Sequence, residues 1–187
     1  MKELIFLALL FAAGPSFATP PTDAQSDAFL RAYSFDALKV LATEGLTVRV
    51  ASKALTPAQA DCIRGRLDFE AILPMSRPMV AAMFQNAALV DQATAFFSSP
   101  TGLKLKAFNI ETLRNYLRAK QHGEPPPSVP AVPPTFSAND AQIASTFNDS
   151  PAGQAFTRFV QNGLPRLPKN EVMAAAVSKC RSSPAMH

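Results

Sequence analysis

The sequence predicts an all-α fold, a compact multi-helix bundle of antiparallel helical hairpins. Abundant Ala and Leu beside seven Gly, two Tyr and no Trp favour helices over sheets. Apolar residues recur at helical spacing in several segments, for example at Phe35, Leu38, Leu41 and Ala42. In addition, two similar Ser-Pro-x-Gly strings follow apolar runs, and each predicts a sharp corner between two helices.

The first corner lies at Ser99, Pro100 and Gly102, and the second lies 51 positions later at Ser150, Pro151 and Gly153. Each Ser is expected to cap a helix that begins at the Pro. The first residue of a helix needs no N–H, because that group has no partner within the helix. The Gly in the first turn allows another part of the backbone to come close. Bulky apolar residues flank both corners in register and predict a structural repeat: Phe96 with Phe147, Leu105 with Phe156, and Phe108 with Phe159.

Start and stop signals place the remaining helices. Thr22 and Gln25 are expected to form a capping box, and Thr56-Pro57 is a second start signal. In the first half of the chain, the predicted helices are Thr22 to Tyr33, a second one that Ser34 caps, a third from Thr56 to before Pro74, and a fourth from Ser76 to Phe97. In the second half, they are Pro100 to Lys120, a helix from Ser137 to the second corner, and Lys169 to Ser182.

His122 to Thr135 is rich in proline and separates two helical units within one predicted domain, 19–187. Six of these fourteen residues are Pro, which excludes a helix or a central strand. We therefore expect an extended, polyproline-like connection. The alternative is that this segment is a ligand for a proline-recognising partner.

The first eighteen residues have the pattern of a signal peptide. The apolar run Leu4 to Ala13 is too short to span a bilayer, and Ser16-Phe17-Ala18 supplies the small residues of a cleavage site. Cleavage is expected after Ala18, which predicts a periplasmic or secreted protein. The alternative is a buried N-terminal helix. No later run is long enough to cross a membrane, so no stable span is expected after cleavage.

Cys62 and Cys180 are the only cysteines, and export to an oxidising compartment predicts that they form a disulfide. Two free buried thiols are the alternative. The two histidines do not indicate a metal site, because His122 borders the Pro-rich segment and His187 is the last residue. We expect neither a metal nor a cofactor.

The net charge of +4 is concentrated in the C-terminal half. From Pro100 onward there are ten Lys and Arg against five Asp and Glu. Such an excess suits an anionic partner. The partner expected here is an unknown protein or an anionic envelope component rather than nucleic acid, and the alternative is a set of solvated helix faces. The candidate contact face consists of Lys104, Lys106, Arg114, Arg118 and Lys120.

The sequence offers no set of residues typical of a catalytic centre. Hydrolases need a nucleophile with a base and an orienting acid, or a metal cluster, and neither is evident. The nearest candidates are the carboxylates of Asp61, Asp68 and Glu70, of which the first two could share a helix face. The leading hypothesis is a non-catalytic binding or interaction module, either an inhibitor or immunity protein or an envelope factor. The alternative is an envelope hydrolase that uses these carboxylates.

The first corner also carries a resemblance. The string from Ala95 to Lys104, with the aromatic pair Phe96-Phe97 before Ser-Pro-x-Gly, resembles the signature of a bacterial family of exported all-helical proteins known only as a domain of unknown function. The second corner matches less well, because Asn148 replaces the second aromatic residue. The resemblance implies a helical fold and export. It implies no catalytic residue.

Overall fold

The computed structural model describes residues 19–130 and 132–181, and in that part the chain is helical without strands. The predicted all-α fold is confirmed, whereas the predicted signal peptide, Met1–Ala18, lies outside the described residues. The helices are α1 Asp23–Phe29, α2 Phe35–Ala51, α3 Pro57–Gly65, α4 Leu73–Phe84, α5 Ala87–Ser98, α6 Pro100–His122, α7 Ala138–Asp149, α8 Pro151–Arg158 and α9 Lys169–Arg181.

The predicted break at Ser34 is wrong, because α1 runs into α2 through a π-helical turn, Leu30–Ser34. Ser34 has helical dihedral angles, φ −76° and ψ −33°, and its side chain makes no capping bond. A π turn inserts an extra residue without ending the helix. By contrast, capping boxes are present at Thr22, at Thr56 and at Ser137.

The predicted helix from Ser76 to Phe97 is also wrong, because it is divided into α4 and α5. Helix α4 begins earlier, at Leu73, and keeps Pro78 in its interior. It ends where Gln85 turns to the left-handed region, φ 59°. Asn86 then starts α5, accepting a hydrogen bond from the amide of Ala88 at 2.8 Å. A left-handed residue commonly ends a helix, and Asn is a favoured N-cap for the next one.

The two corners form helical hairpins that pack against each other. Ser99 and Ser150 are N-caps, accepting hydrogen bonds at 3.1 Å from the amides of Gly102 and Gly153. Helix α5 packs on α8, and α6 packs on α7. The first helix of each hairpin thus contacts the second helix of the other. The aligned rings of Phe96 and Phe147 stack with centroids 3.9 Å apart and planes 1° from parallel. Equivalent residues of the two hairpins therefore meet at their contact.

The main core lies where these hairpins meet α1 and α4. The fully buried ring of Phe29 packs edge-on against Phe84 and Phe159, with centroids 4.8 and 5.0 Å away. Edge-to-face contacts of this kind stabilise by about 1 kcal/mol beyond the burial of area. The ring of Tyr33 contacts Phe97 and Phe156 in the same cluster, at 4.7 and 4.6 Å.

A smaller core joins α3 to α9 and contains the predicted disulfide, which is confirmed. The sulfurs of Cys62 and Cys180 are bonded across a sequence separation of 118. Around Cys180, which is 1 % exposed, the buried residues of this core are Leu46, Ala60, Ile63 and Ala176. The bond therefore ties the last helix to the first half of the chain.

Candidate functional site

A cavity of about 520 Å³ opens beside α6. We call it the apolar cleft. Its walls come from α2, α6, α8, the π turn Phe159–Gly163 and the Pro-rich connection. Pro126 and Pro127 form part of one wall. The residues that characterise it are Tyr33, Asn109, Leu113, Tyr116, Val129 and Val160.

Helix α6 contributes a regular stripe to this cleft. Asn109, Thr112, Leu113 and Tyr116 follow one another at spacings of three, one and three residues, which places them on one helical face. Tyr116 is 43 % exposed, and Val129 of the Pro-rich connection, which also lines the cleft, is 52 % exposed. Large apolar surface therefore faces water at the mouth of the cleft.

Two π turns in the described residues border the cleft. Tyr33 belongs to the first, Leu30–Ser34, and Val160 and Gln161 belong to the second. π turns are rare and are frequently found at functional sites. The hydroxyl of Ser34 is buried with no hydrogen-bond partner in the described part of the chain, so this turn also carries an unsatisfied polar group.

The interior of the cleft is uncharged. None of the described residues that line it is Asp, Glu, Lys, Arg or His. Burial raises the pKa of Tyr33 to about 12, against a smaller opposite effect of the neighbouring Asn109. Tyr33 is therefore neutral at neutral pH, and its hydroxyl and the Asn109 amide are among the polar groups of the cleft.

A second cavity, of about 300 Å³, lies next to the cleft and is charged. We call it the charged cavity, and it is lined by Asp36, Lys39, Val40, Glu44, Ile110 and Arg114. Ile110 lines both cavities. Their walls therefore meet at one side chain of α6, between α2 and α6.

Ion pairs hold α2 beside α6 around the charged cavity. Lys106 lies 2.9 Å from Asp36, and the buried carboxylate of Glu44 lies 3.5 Å from Arg118 and 3.8 Å from Arg114. Glu44 follows Asp36 on α2, and its partners Arg114 and Arg118 follow Lys106 on α6. The two helices therefore run parallel. Lys39 differs from these side chains, because it is exposed and has no ion pair in the part of the chain that the structure describes.

The residues of the predicted basic face do not form one free surface. Lys104 pairs with the buried carboxylate of Asp140 at 2.7 Å, and Lys106, Arg114 and Arg118 pair with acids of α2 as above. Arg114 also pairs with Glu111. Lys120 alone has no ion pair within the described residues. The excess of positive charge is thus largely balanced within the fold.

The proposed sharing of a helix face by Asp61 and Asp68 is wrong, because α3 ends at Gly65. Asp61 pairs with Arg64, and Glu70 accepts three hydrogen bonds from Arg31, the shortest at 2.7 Å. The Arg31 guanidinium lowers the pKa of Glu70, which is opposite to what a general acid needs. Asp61 and Asp68 line separate cavities, so these carboxylates do not converge.

The described residues contain no group of three or more His, Cys, Asp or Glu side chains arranged to hold a metal ion. Their helices also include none that is at once long enough and apolar enough to cross a membrane. The longest, α6, carries Lys104, Lys106 and Arg114 within its first four turns.

Comparison with protein-family models, with curated proteins and with solved structures finds no match for this chain. The resemblance of the first corner to an exported helical family therefore stays a prediction.

The sequence did not indicate the residues of the cleft. The signals present were the Pro-rich connection and the stripe from Asn109 to Tyr116, but each has an ordinary structural explanation when taken alone. Tyr33 could not be assigned to a site, because its ring contacts Phe97 and Phe156, which are distant in sequence.

Proposed function

We propose that the protein is an exported, non-catalytic binding module of the cell envelope, and that the apolar cleft is its binding site. The observation that carries the proposal is the cleft itself. Its volume lies in the range of about 300–1,000 Å³ that small-molecule sites occupy, and an apolar lining with a few polar groups is typical of such sites. Tyr33 and Asn109 are among those polar groups.

Export is supported by the disulfide, because such bonds persist mainly in oxidising compartments. The signal-peptide pattern of Met1–Ala18 adds a second, independent argument from the sequence. A periplasmic or secreted location is therefore part of the proposal.

Between the two expected roles, the cleft favours an envelope factor over an inhibitor or immunity protein. A protein inhibitor needs a surface of about 800 Å² per partner with charged and aromatic anchors. The cleft is instead concave and uncharged, and it fits a small apolar molecule or an apolar chain.

The experiment measures binding of N-phenyl-naphthylamine, a neutral apolar dye that fluoresces on leaving water. The test variant is Val129→Asp, which places a carboxylate at the mouth of the cleft. The matched control is Val132→Asp, since both valines are 52 % exposed on the same connection and only Val129 lines the cleft. We expect saturable binding by the wild type, a loss of affinity of about tenfold in Val129→Asp, and no change in the control.

Urea unfolding of both variants establishes that they remain folded. A wild type that does not bind the dye saturably would contradict the proposal. Equal weakening in both valine variants would contradict it as well, because the dye would then be responding to the charge of the connection rather than to the cleft.

A further inference from the structure

We propose that the ligand is a single-chain amphiphile with a carboxylate head, which seats its chain in the apolar cleft and its head in the charged cavity at Lys39. This inference rests on the proposed function and names the class of molecule that the cleft takes. It follows from the position, the charge and the exposure of the second cavity.

The first step is that the two cavities are neighbours along the same pair of helices. Both are bounded by α2 and α6, and Ile110 lines both. On α2, Ala37 lines the cleft and Val40 lines the charged cavity, and these two residues are one helical turn apart on the same face. A molecule that follows the α2–α6 seam therefore passes from an uncharged environment to a charged one within one turn.

The second step is the charge balance of the charged cavity. Its walls and their ion-pair partners contain four cations against three anions. The anions are Asp36, Glu44 and Glu111, and each has a basic partner. The cations are Lys39, Lys106, Arg114 and Arg118. One positive charge is left over, and Lys39 is the cation without a partner in the described part of the chain.

The third step is the exposure of Lys39. Lys39 is exposed, so an anionic head that pairs with it stays partly hydrated. A charge pair that keeps water avoids most of the desolvation cost of a buried pair. The chain of the same ligand would meanwhile replace water along Leu113 and Val160, at about 25 cal/mol for each Å² of apolar surface covered.

The surplus of one charge favours a carboxylate over a phosphate monoester. A carboxylate carries one negative charge at neutral pH, whereas a phosphate monoester carries about 1.5 to 2. The second charge of a phosphate would face the carboxylates of Asp36 and Glu44, which line the same cavity. Like charges in one site repel, and this selects the singly charged head.

The experiment compares three ligands with the same twelve-carbon chain: dodecanoic acid, dodecanol and dodecyl phosphate. Their affinities are measured by displacement of N-phenyl-naphthylamine from the wild type, from Lys39→Glu and from Lys120→Glu. The two variants change the net charge equally, but Lys120 lines neither cavity. We expect the wild type to bind the acid about fivefold more tightly than the alcohol, the range that one exposed ion pair supports. Lys39→Glu should abolish that preference, whereas Lys120→Glu should keep it.

Four results would overturn the assignment of the head group. Equal affinities for acid and alcohol in the wild type would leave the cleft as a binding site but refute the carboxylate. Tighter binding of the phosphate than of the acid would do the same. A preference that survives in Lys39→Glu, or one lost equally in Lys120→Glu, would show that the head does not lie at Lys39. Failure of all three ligands, together with failure of the dye, would instead refute the proposed function.

Discussion

Replacing Gly102 with alanine tests the geometry of the first corner, which joins α5 to α6. A Cβ at this position would lie 1.8 Å from the carbonyl oxygen of Phe96 and 2.8 Å from the Cα of Phe97. Both atoms belong to the backbone at the end of α5, so no side chain can rotate away. Even the smallest side chain must therefore open the corner.

The magnitude follows from the interactions that opening disrupts. The Phe96 carbonyl accepts hydrogen bonds from the amide of Ser99 at 3.0 Å and from its hydroxyl at 2.7 Å, each contributing about 1 kcal/mol. The Ser99 cap on Gly102 contributes about 1 kcal/mol, and so does the stack of Phe96 on Phe147. Alanine recovers about 1 kcal/mol of helix propensity. We expect Gly102→Ala to lower the free energy of unfolding by about 3 kcal/mol.

Gly45→Ala is the matched control, because it makes the same change in the middle of α2. Gly45 is exposed and has nothing within 4 Å of an added Cβ. Only the helix propensity changes there, so this variant should gain about 0.5–1 kcal/mol. Urea unfolding followed by circular dichroism, with the disulfide intact, measures both. The reasoning is refuted if Gly102→Ala unfolds at the wild-type urea midpoint or above it.

The remaining predictions concern the disulfide and the contact between the hairpins. The double variant Cys62→Ser with Cys180→Ser should lose about 4–5 kcal/mol, since the bond closes a loop of more than 100 residues, and an unchanged urea midpoint would contradict this. Hydrogen bonds from Lys104, the backbone of Ser137 and Thr101 hold the pKa of Asp140 well below its usual range. The unfolded carboxyl takes up a proton near pH 4 that the folded one does not, so this contribution to stability is present above about pH 4 and falls as the pH drops. Asp140→Asn should flatten the fall in unfolding free energy between about pH 7 and pH 3; an identical slope in both proteins would count against this pairing.

The sequence was sufficient for features that depend on neighbouring residues. A Ser before Pro caps the next helix whatever surrounds it, so Ser99 and Ser150 could be placed by sequence alone. The same holds for Thr22 and Thr56, whose capping boxes need only a Gln three residues later. The disulfide could be predicted because the chain has only two cysteines.

Predictions failed where the deciding contact came from elsewhere in the chain. Ser34 is a good capping residue by type, but the helix continues through it as a π turn. In that turn, the ring of Tyr33 packs against Phe97 and Phe156, which are distant in sequence. The basic residues of α6 looked like a free face because their partners are distant in sequence. Lys106 lies 70 residues from Asp36, with which it pairs at 2.9 Å.

The candidate site is the clearest case of a feature that only the tertiary structure decided. The apolar cleft takes Tyr33 from a π turn, Leu113 from α6 and Val129 from the Pro-rich connection, and the charged cavity takes Lys39 from α2. Local stereochemistry determined the helices and corners, because hydrogen bonds within a few residues control caps and turns. A cavity is the space left between packed elements, so its walls and its charge were decided only when those elements came together.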